Sequence, residues 1–264
     1  MSACKHLYYE TQGSNKSPAI VMLHGFLGSS KDWSEVAETL KEKFFCILPD
    51  LPGHGRTMPL ADSDYTMQSA ALSLLAILNR EEIKQCSLVG YSMGGRLALY
   101  MTLTHPKYFS KLMLESASPG LKTEKERNAR IESDGIVINR LRTQTMDEFI
   151  TSWYSNFMFD SIRQDREKFE KLLKNRSENN PEALSKSLKF MGTGVQPPLW
   201  HILPDLIPPT LLIVGADDNK FKSVAFEMEE RSAAITVVSI ENAGHNAHFE
   251  RPQEYIIELQ KFLI

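Results

Sequence analysis

The chain has no long hydrophobic run. Among its 264 residues, no apolar stretch approaches the roughly 20 needed to span a bilayer, and the first residues carry no apolar signal region. Cysteine is scarce. Cys4, Cys46 and Cys86 are the full set, and their spacing fits no metal-ligand pattern. Cys46 and Cys86 stand in apolar runs and are expected to be buried thiols. An odd number of cysteines suits a reducing compartment. Charge is nearly balanced at −3, which gives no reason to expect nucleic acid or an anionic membrane as partner. There is no internal repeat and no low-complexity linker. The expectation is a cytoplasmic protein with no membrane insertion, no nucleic-acid partner, no metal and no other cofactor.

What remains is an ordinary globular composition, 42% hydrophobic and 24% charged, in a chain long enough for one large domain. Short apolar runs alternate with helical periodicity. Residues 20–23, 44–48, 86–89, 111–115, 211–214 and 236–240 read as buried strands. Residues 33–41, 67–78, 94–104, 223–231 and 252–263 read as helices. This alternation predicts a mostly parallel α/β sheet with helices on both faces. The rhythm breaks between about 123 and 203, where charged helical segments include no convincing strand. A single domain over 1–264 is expected, with this stretch as a helical cap insertion over the carboxyl end of the sheet. Ligands bind at that end of open α/β sheets.

One stretch carries the chemistry. The run ending at Val89 feeds Gly90-Tyr91-Ser92-Met93-Gly94, a G-x-S-x-G strand-to-helix turn that lifts a serine hydroxyl out of the backbone. A serine hydroxyl needs a base, and the base needs an orienting carboxylate. In chain order, Ser92 is followed by Asp217 or Asp218 and then by His245. Each falls just past a strand end on the same sheet edge. Glu115, which ends a strand, is the second candidate for the acid. Two backbone N–H groups would form an oxyanion hole. One belongs to Met93, and the other to Phe26 in the loop His24-Gly25-Phe26-Leu27-Gly28. His24, and His54 in the turn after Asp50, read as braces for these loops and not as bases.

Together these motifs resemble the α/β-hydrolase superfamily over essentially the whole chain. A narrower resemblance rests on Gly90 to Arg96, Ser118-Pro119-Gly120-Leu121, Ala129-Arg130 with Ser133-Asp134, Asn175-Arg176-Ser177-Glu178-Asn179-Asn180, Gly215-Ala216-Asp217-Asp218-Asn219-Lys220-Phe221, and Gly244-His245-Asn246-Ala247-His248. This set is similar to the 2-succinyl-6-hydroxy-2,4-cyclohexadiene-1-carboxylate synthases of menaquinone and phylloquinone biosynthesis. The resemblance favours Asp218 over Asp217 as the acid. It implies a lyase that eliminates pyruvate after its triad removes a ring proton, acting on a small polyanionic carboxylate substrate. It also implies that Arg96, Arg130 and Arg176 bind that substrate, with Tyr91 and Trp153 as aromatic contacts. A guanidinium can grip a carboxylate through two parallel N–H bonds. Without the resemblance, Arg130 and Arg176 would read as solvated charges and Trp153 as apolar packing. The competing reading from the residues is a serine hydrolase acting on a small ester or a carbon–carbon bond. A binding protein on the same fold would have no need of all three triad residues.

Overall fold

A computed structural model describes residues 7–57 and 60–264; Cys4 lies outside them. Its elements in chain order are β1 (Tyr9–Gln12), β2 (Ala19–Leu23), α1 (Ser34–Leu40), β3 (Phe45–Pro49), α2 (Met67–Arg80), β4 (Cys86–Tyr91), α3 (Met93–Thr104) and β5 (Phe109–Glu115). Four helices follow: α4 (Glu124–Thr143), α5 (Met146–Tyr154), α6 (Arg166–Ser177) and α7 (Pro181–Met191). The chain then returns through β6 (Thr210–Gly215), α8 (Asn219–Arg231), β7 (Ile235–Ile240), α9 (Ala247–Glu250) and α10 (Pro252–Leu263). The sheet order is β1-β3-β2-β4-β5-β6-β7. Only β1 runs antiparallel to its neighbour. The expected α/β-hydrolase sheet with helices on both faces is present.

Strand alternation explains the two layers. Successive side chains of a strand point to opposite faces. Val21, Leu23, Leu88, Leu112, Leu114, Leu212 and Val214 therefore pack with α2, α3 and α8. Ile20, Met22, Val89, Met113, Leu211 and Ile213 pack with α1 and α10. Covered on both sides, β2, β3 and β6 are buried at every residue, so they read as continuous apolar runs. β1 has no such signature. It is a half-exposed edge strand with the sequence YETQ, and periodicity gives no sign of it. Helix α8 begins four residues earlier than expected because the Asp218 side chain accepts the Phe221 N–H at 3.1 Å and caps it.

Parallel register brings the functional loops together. Leu23 pairs with Gly90, Tyr91 with Glu115, Glu115 with Ile213, and Gly215 with Ile240. The carboxyl ends of five strands thus lie level, and the loops that follow share one edge. Strand order reverses between β2 and β4, the position where open α/β sheets leave a crevice. Helices α4–α7 lie between β5 and β6 in the chain, and Phe149, Ile150, Tyr154, Leu172 and Leu184 form their own apolar cluster with Leu27 of the loop after β2. No helix among the described residues is long and apolar enough to cross a membrane.

Close approach at the turn after β4 requires glycine. A Cβ on Gly94 would lie 2.3 Å from the Leu23 carbonyl oxygen, which is backbone and cannot swing aside. Gly94→Ala is expected to lower the unfolding free energy by about 1–3 kcal/mol, measured by urea denaturation.

Candidate active site

Ser92 sits at φ 49° and ψ −107°, a left-handed region that a serine enters only under constraint. Its N–H donates to the Glu115 carbonyl at 2.8 Å, and its own carbonyl accepts the Arg96 N–H at 2.9 Å. These bonds join the end of β4 to β5 and start α3. Leu27, Ser116 and Asn242 also have positive φ, and each follows a strand end on the same edge.

His245 Nε2 lies 3.2 Å from Ser92 Oγ, and its Nδ1 lies 2.7 Å from Asp218 Oδ2. An ionised carboxylate only accepts, so Nδ1 carries the proton and Nε2 presents a lone pair to the serine hydroxyl. Both His245 and the Asp218 carboxylate are almost fully buried. Asp217, the neighbouring candidate, is exposed, and its N–H donates to the Ala243 carbonyl at 2.9 Å, stitching the acid loop to the histidine loop. Glu115 does not reach His245. It accepts from His248 instead, from Nδ1 at 2.7 Å and from the backbone N–H at 3.1 Å. The His248 ring stacks on Trp33 at 4.2 Å.

The loop after β2 is braced as expected. His24 Nε2 accepts the Leu51 N–H at 2.9 Å, so its Nδ1 carries the proton and donates to the Gly25 carbonyl at 2.7 Å. His54 Nδ1 is 3.1 Å from the Pro52 carbonyl. Phe26 meets the edge of Trp153 at 5.4 Å, which brings α5 beside the loop that carries the Phe26 N–H. Tyr91 is buried, and its ring lies 5.5 Å from His245 and 5.1 Å from His248.

A family model described as the alpha/beta hydrolase fold matches residues 18–252. The 2-succinyl-6-hydroxy-2,4-cyclohexadiene-1-carboxylate synthase of Citrobacter koseri is 34% identical over 251 residues, covering 95% of this chain and 96% of that protein. The enzyme of the same name from Serratia proteamaculans is 31% identical over 254 residues, 96% of each. The chain belongs to the 2-succinyl-6-hydroxy-2,4-cyclohexadiene-1-carboxylate synthase family. The structure of MenH from S. aureus agrees at a TM-score of 0.93 with 30% identity, covering 97% of both chains. An enol-lactonase from Burkholderia xenovorans LB400 matches at 0.82 with 18% identity, a likeness of fold alone.

For a member of this synthase family, the arginines are the informative charges. Arg96 is buried at 8% exposure. Its Nη1 donates at 3.0 Å to the Met191 carbonyl and at 3.0 Å to Gln196 Oε1, both neutral acceptors. Burial, with Arg130 acting in the same direction, pulls its pKa down to about 10. Arg130 Nε donates to Asp134 Oδ1 at 2.6 Å along α4, and its side chain stays 37% exposed. Burial raises the Asp134 carboxyl against the pull of Arg130. Arg176, expected to bind substrate, already holds a carboxylate of the protein. The carboxylate it grips is that of Asp32, through Nη1 at 2.6 Å and Nη2 at 2.8 Å, while Nε donates to Tyr154 Oη at 3.1 Å. Three of its five N–H groups are therefore committed. Burial alone would lower its pKa, but the Asp32 pair holds it above the ordinary value.

Sequence reading overlooked several neighbours. Phe221 and Phe159 flank His245 with ring centroids at 4.6 and 6.2 Å. Asn179 donates to the Leu27 carbonyl at 2.9 Å and accepts the Gly55 N–H at 3.1 Å. Asp32 has no local pattern that marks it, because its partner is distant in sequence, and Asn179 stands in the motif Asn175 to Asn180 already singled out. Phe221 stands in a motif already singled out, three residues after Asp218. Among the described residues, no group of His, Cys, Asp and Glu could hold a metal ion.

Buried neutral histidines have a pH consequence. Burial lowers the pKa of His24 and takes that of His54 well below the usual 6.5. The unfolded chain then binds protons first as pH falls, so stability is full above about pH 6.5 and declines below it. The thermal midpoint is expected to drop between about pH 7.5 and 5.5. This slope should flatten in His54→Gln, however low that variant's own midpoint.

Proposed function

We propose that the chain is a cofactor-independent carbon–oxygen lyase. It eliminates pyruvate from 2-succinyl-5-enolpyruvyl-6-hydroxy-3-cyclohexene-1-carboxylate and leaves 2-succinyl-6-hydroxy-2,4-cyclohexadiene-1-carboxylate. Family membership over nearly the full length supports this reading. The structural observation that carries it is Arg96, a buried guanidinium with only neutral acceptors, one helical turn from a serine bonded to histidine. A site for neutral esters gains nothing from a desolvated cation. The nearby Asp134 carboxylate is bonded to Arg130, and a carboxylate substrate offers Arg96 a charged partner of its own.

In this reading His245 takes the Ser92 proton as the serine oxygen removes a ring proton next to the succinyl carbonyl. The electrons move onto that carbonyl oxygen, held by the Phe26 and Met93 N–H groups. They return to form a new C2=C3 double bond, the existing C3=C4 double bond shifts to C4=C5, and the C5–oxygen bond to the enolpyruvyl group breaks. His245 returns a proton to the departing enolate, which becomes pyruvate. Asp218 keeps the imidazole in the required tautomer and stabilises its cation. Arg96 and Arg130 receive substrate carboxylates, and Tyr91 and Trp153 line the pocket. Arg176 is assigned to fixing Asp32 and, through it, the loop after β2. Helices α4–α7 form the cap that excludes water above the serine, and 1–264 is one domain.

Ser92→Ala and His245→Ala should each reduce turnover by ~10²–10⁴-fold with circular dichroism unchanged, measured by pyruvate release from the enolpyruvyl substrate. Asp218→Asn should damage the rate far more than Asp217→Asn. Intact mass during turnover should show no substrate-derived adduct on Ser92. Such an adduct, with hydrolysis in place of pyruvate release, would establish the serine-hydrolase reading.

Loss of a hydrogen bond to a charged group is worth ~1.5–3 kcal/mol. Arg96→Ala and Arg130→Ala are therefore each expected to lower kcat/KM by about tenfold to a few hundredfold. Lysine should restore only part, since it lacks the planar fork. A neutral ester probe should be spared. Equal losses on both substrates would show that the arginines serve the fold.

A further inference from the structure

Asp218 holds only one edge of the His245 ring, and the backbone that carries the ring must be held as well. That backbone turns sharply from Asn242, at φ 55°, into the short helix α9. The amides on either side of His245 end on one side chain. Gly244 N–H donates to Glu250 Oε2 at 2.8 Å, and Asn246 N–H donates to Glu250 Oε1 at 3.1 Å. The Glu250 N–H donates back to the Asn246 carbonyl at 2.9 Å, which closes the clasp.

A helix cap would account for the Asn246 half of this arrangement. It does not account for the Gly244 bond, which reaches behind the histidine. The same carboxylate hydrogen-bonds Ser161 from the segment between α5 and α6. Gly244 also packs closely on that segment, since a Cβ on it would lie 2.3 Å from Ser161 Oγ. The arrangement needs a carboxylate. Two amide donors converge on a group that must accept with both oxygens, and a glutamine would turn an NH₂ toward one of them.

We infer that Glu250 is a positioning residue for the proton-transfer histidine: it brackets His245 by both neighbouring amides and ties that loop to the helical insertion. The inference rests on His245 acting as the base of the proposed reaction. Loosening the bracket lets the ring drift relative to Ser92, and a misplacement of order 1 Å costs up to ~10²-fold in rate. Substrate binding through the arginines is untouched.

The test uses the full chain with Glu250→Gln, Glu250→Asp and Ser161→Ala. Two rates are read: pyruvate release, and covalent labelling of Ser92 by a fluorophosphonate probe. The second needs His245 to activate the serine but needs no lyase chemistry. Glu250→Gln is expected to lower kcat by about tenfold to a hundredfold with KM changed by less than about threefold, and to slow labelling by a similar factor. Ser161→Ala should move both rates the same way by less. A folded Glu250→Gln with wild-type kcat and labelling rate would overturn the inference. Should that variant fail to fold, Glu250→Asp and Ser161→Ala decide: slower labelling at unchanged KM supports the bracket, and unchanged rates in both overturn it. If the wild type labels readily yet releases no pyruvate, the lyase reading fails, and the labelling comparison still judges Glu250.

Discussion

Everything at the site depends on the backbone of Ser92 being held where a serine does not rest by itself. Positive φ at a non-glycine residue costs of order 1–3 kcal/mol. The cost is offset by the β4–β5 pairing that continues through the Ser92 N–H to the Glu115 carbonyl. Gly90 and Gly94 permit the return of the chain, since a side chain on either would strike backbone. The same turn orients the first amide of α3, so placing the hydroxyl and placing the Met93 N–H are one structural event.

Two histidine–carboxylate pairs stand beside the Tyr91 ring, and their surroundings differ. His245 with Asp218 reaches the serine hydroxyl. His248 with Glu115 lies against Trp33 and Tyr91, with the carboxylate fully buried. The second pair holds α9 onto the end of β5. Chemistry alone would allow either carboxylate to serve a catalytic histidine. The strand each follows, and the direction its loop takes, decide which one meets the histidine that reaches Ser92.

The arginines show a similar division. Removing a guanidinium from water is costly unless an anion accompanies it. Arg176 has Asp32, so its charge is settled within the protein, and the pair joins α6 to the loop after β2. Arg96 has neutral acceptors. Its pKa of about 10 still leaves it cationic near neutral pH, but at an energetic cost. Under the proposed function, that buried charge, one turn from Ser92, is where a substrate carboxylate docks.

Much of the fold and of the site was legible in the chain itself. Buried strands are apolar at every residue, and the Ser, acid and His positions follow strands whose ends a parallel sheet must place on one edge. Periodicity could not reveal β1, because an exposed edge strand buries little, nor could it separate Asp217 from Asp218, since adjacent loop residues have no pattern of their own. Composition and order therefore determined the layers, the elbow and the set of candidates. Tertiary structure alone decided which carboxylate meets which histidine, that Arg176 is occupied by Asp32, and that Phe159, Asn179 and Glu250 stand around the site. Those are contacts between loops and helices, chosen by packing in three dimensions, and local sequence rules do not extend to partners brought together only by the fold.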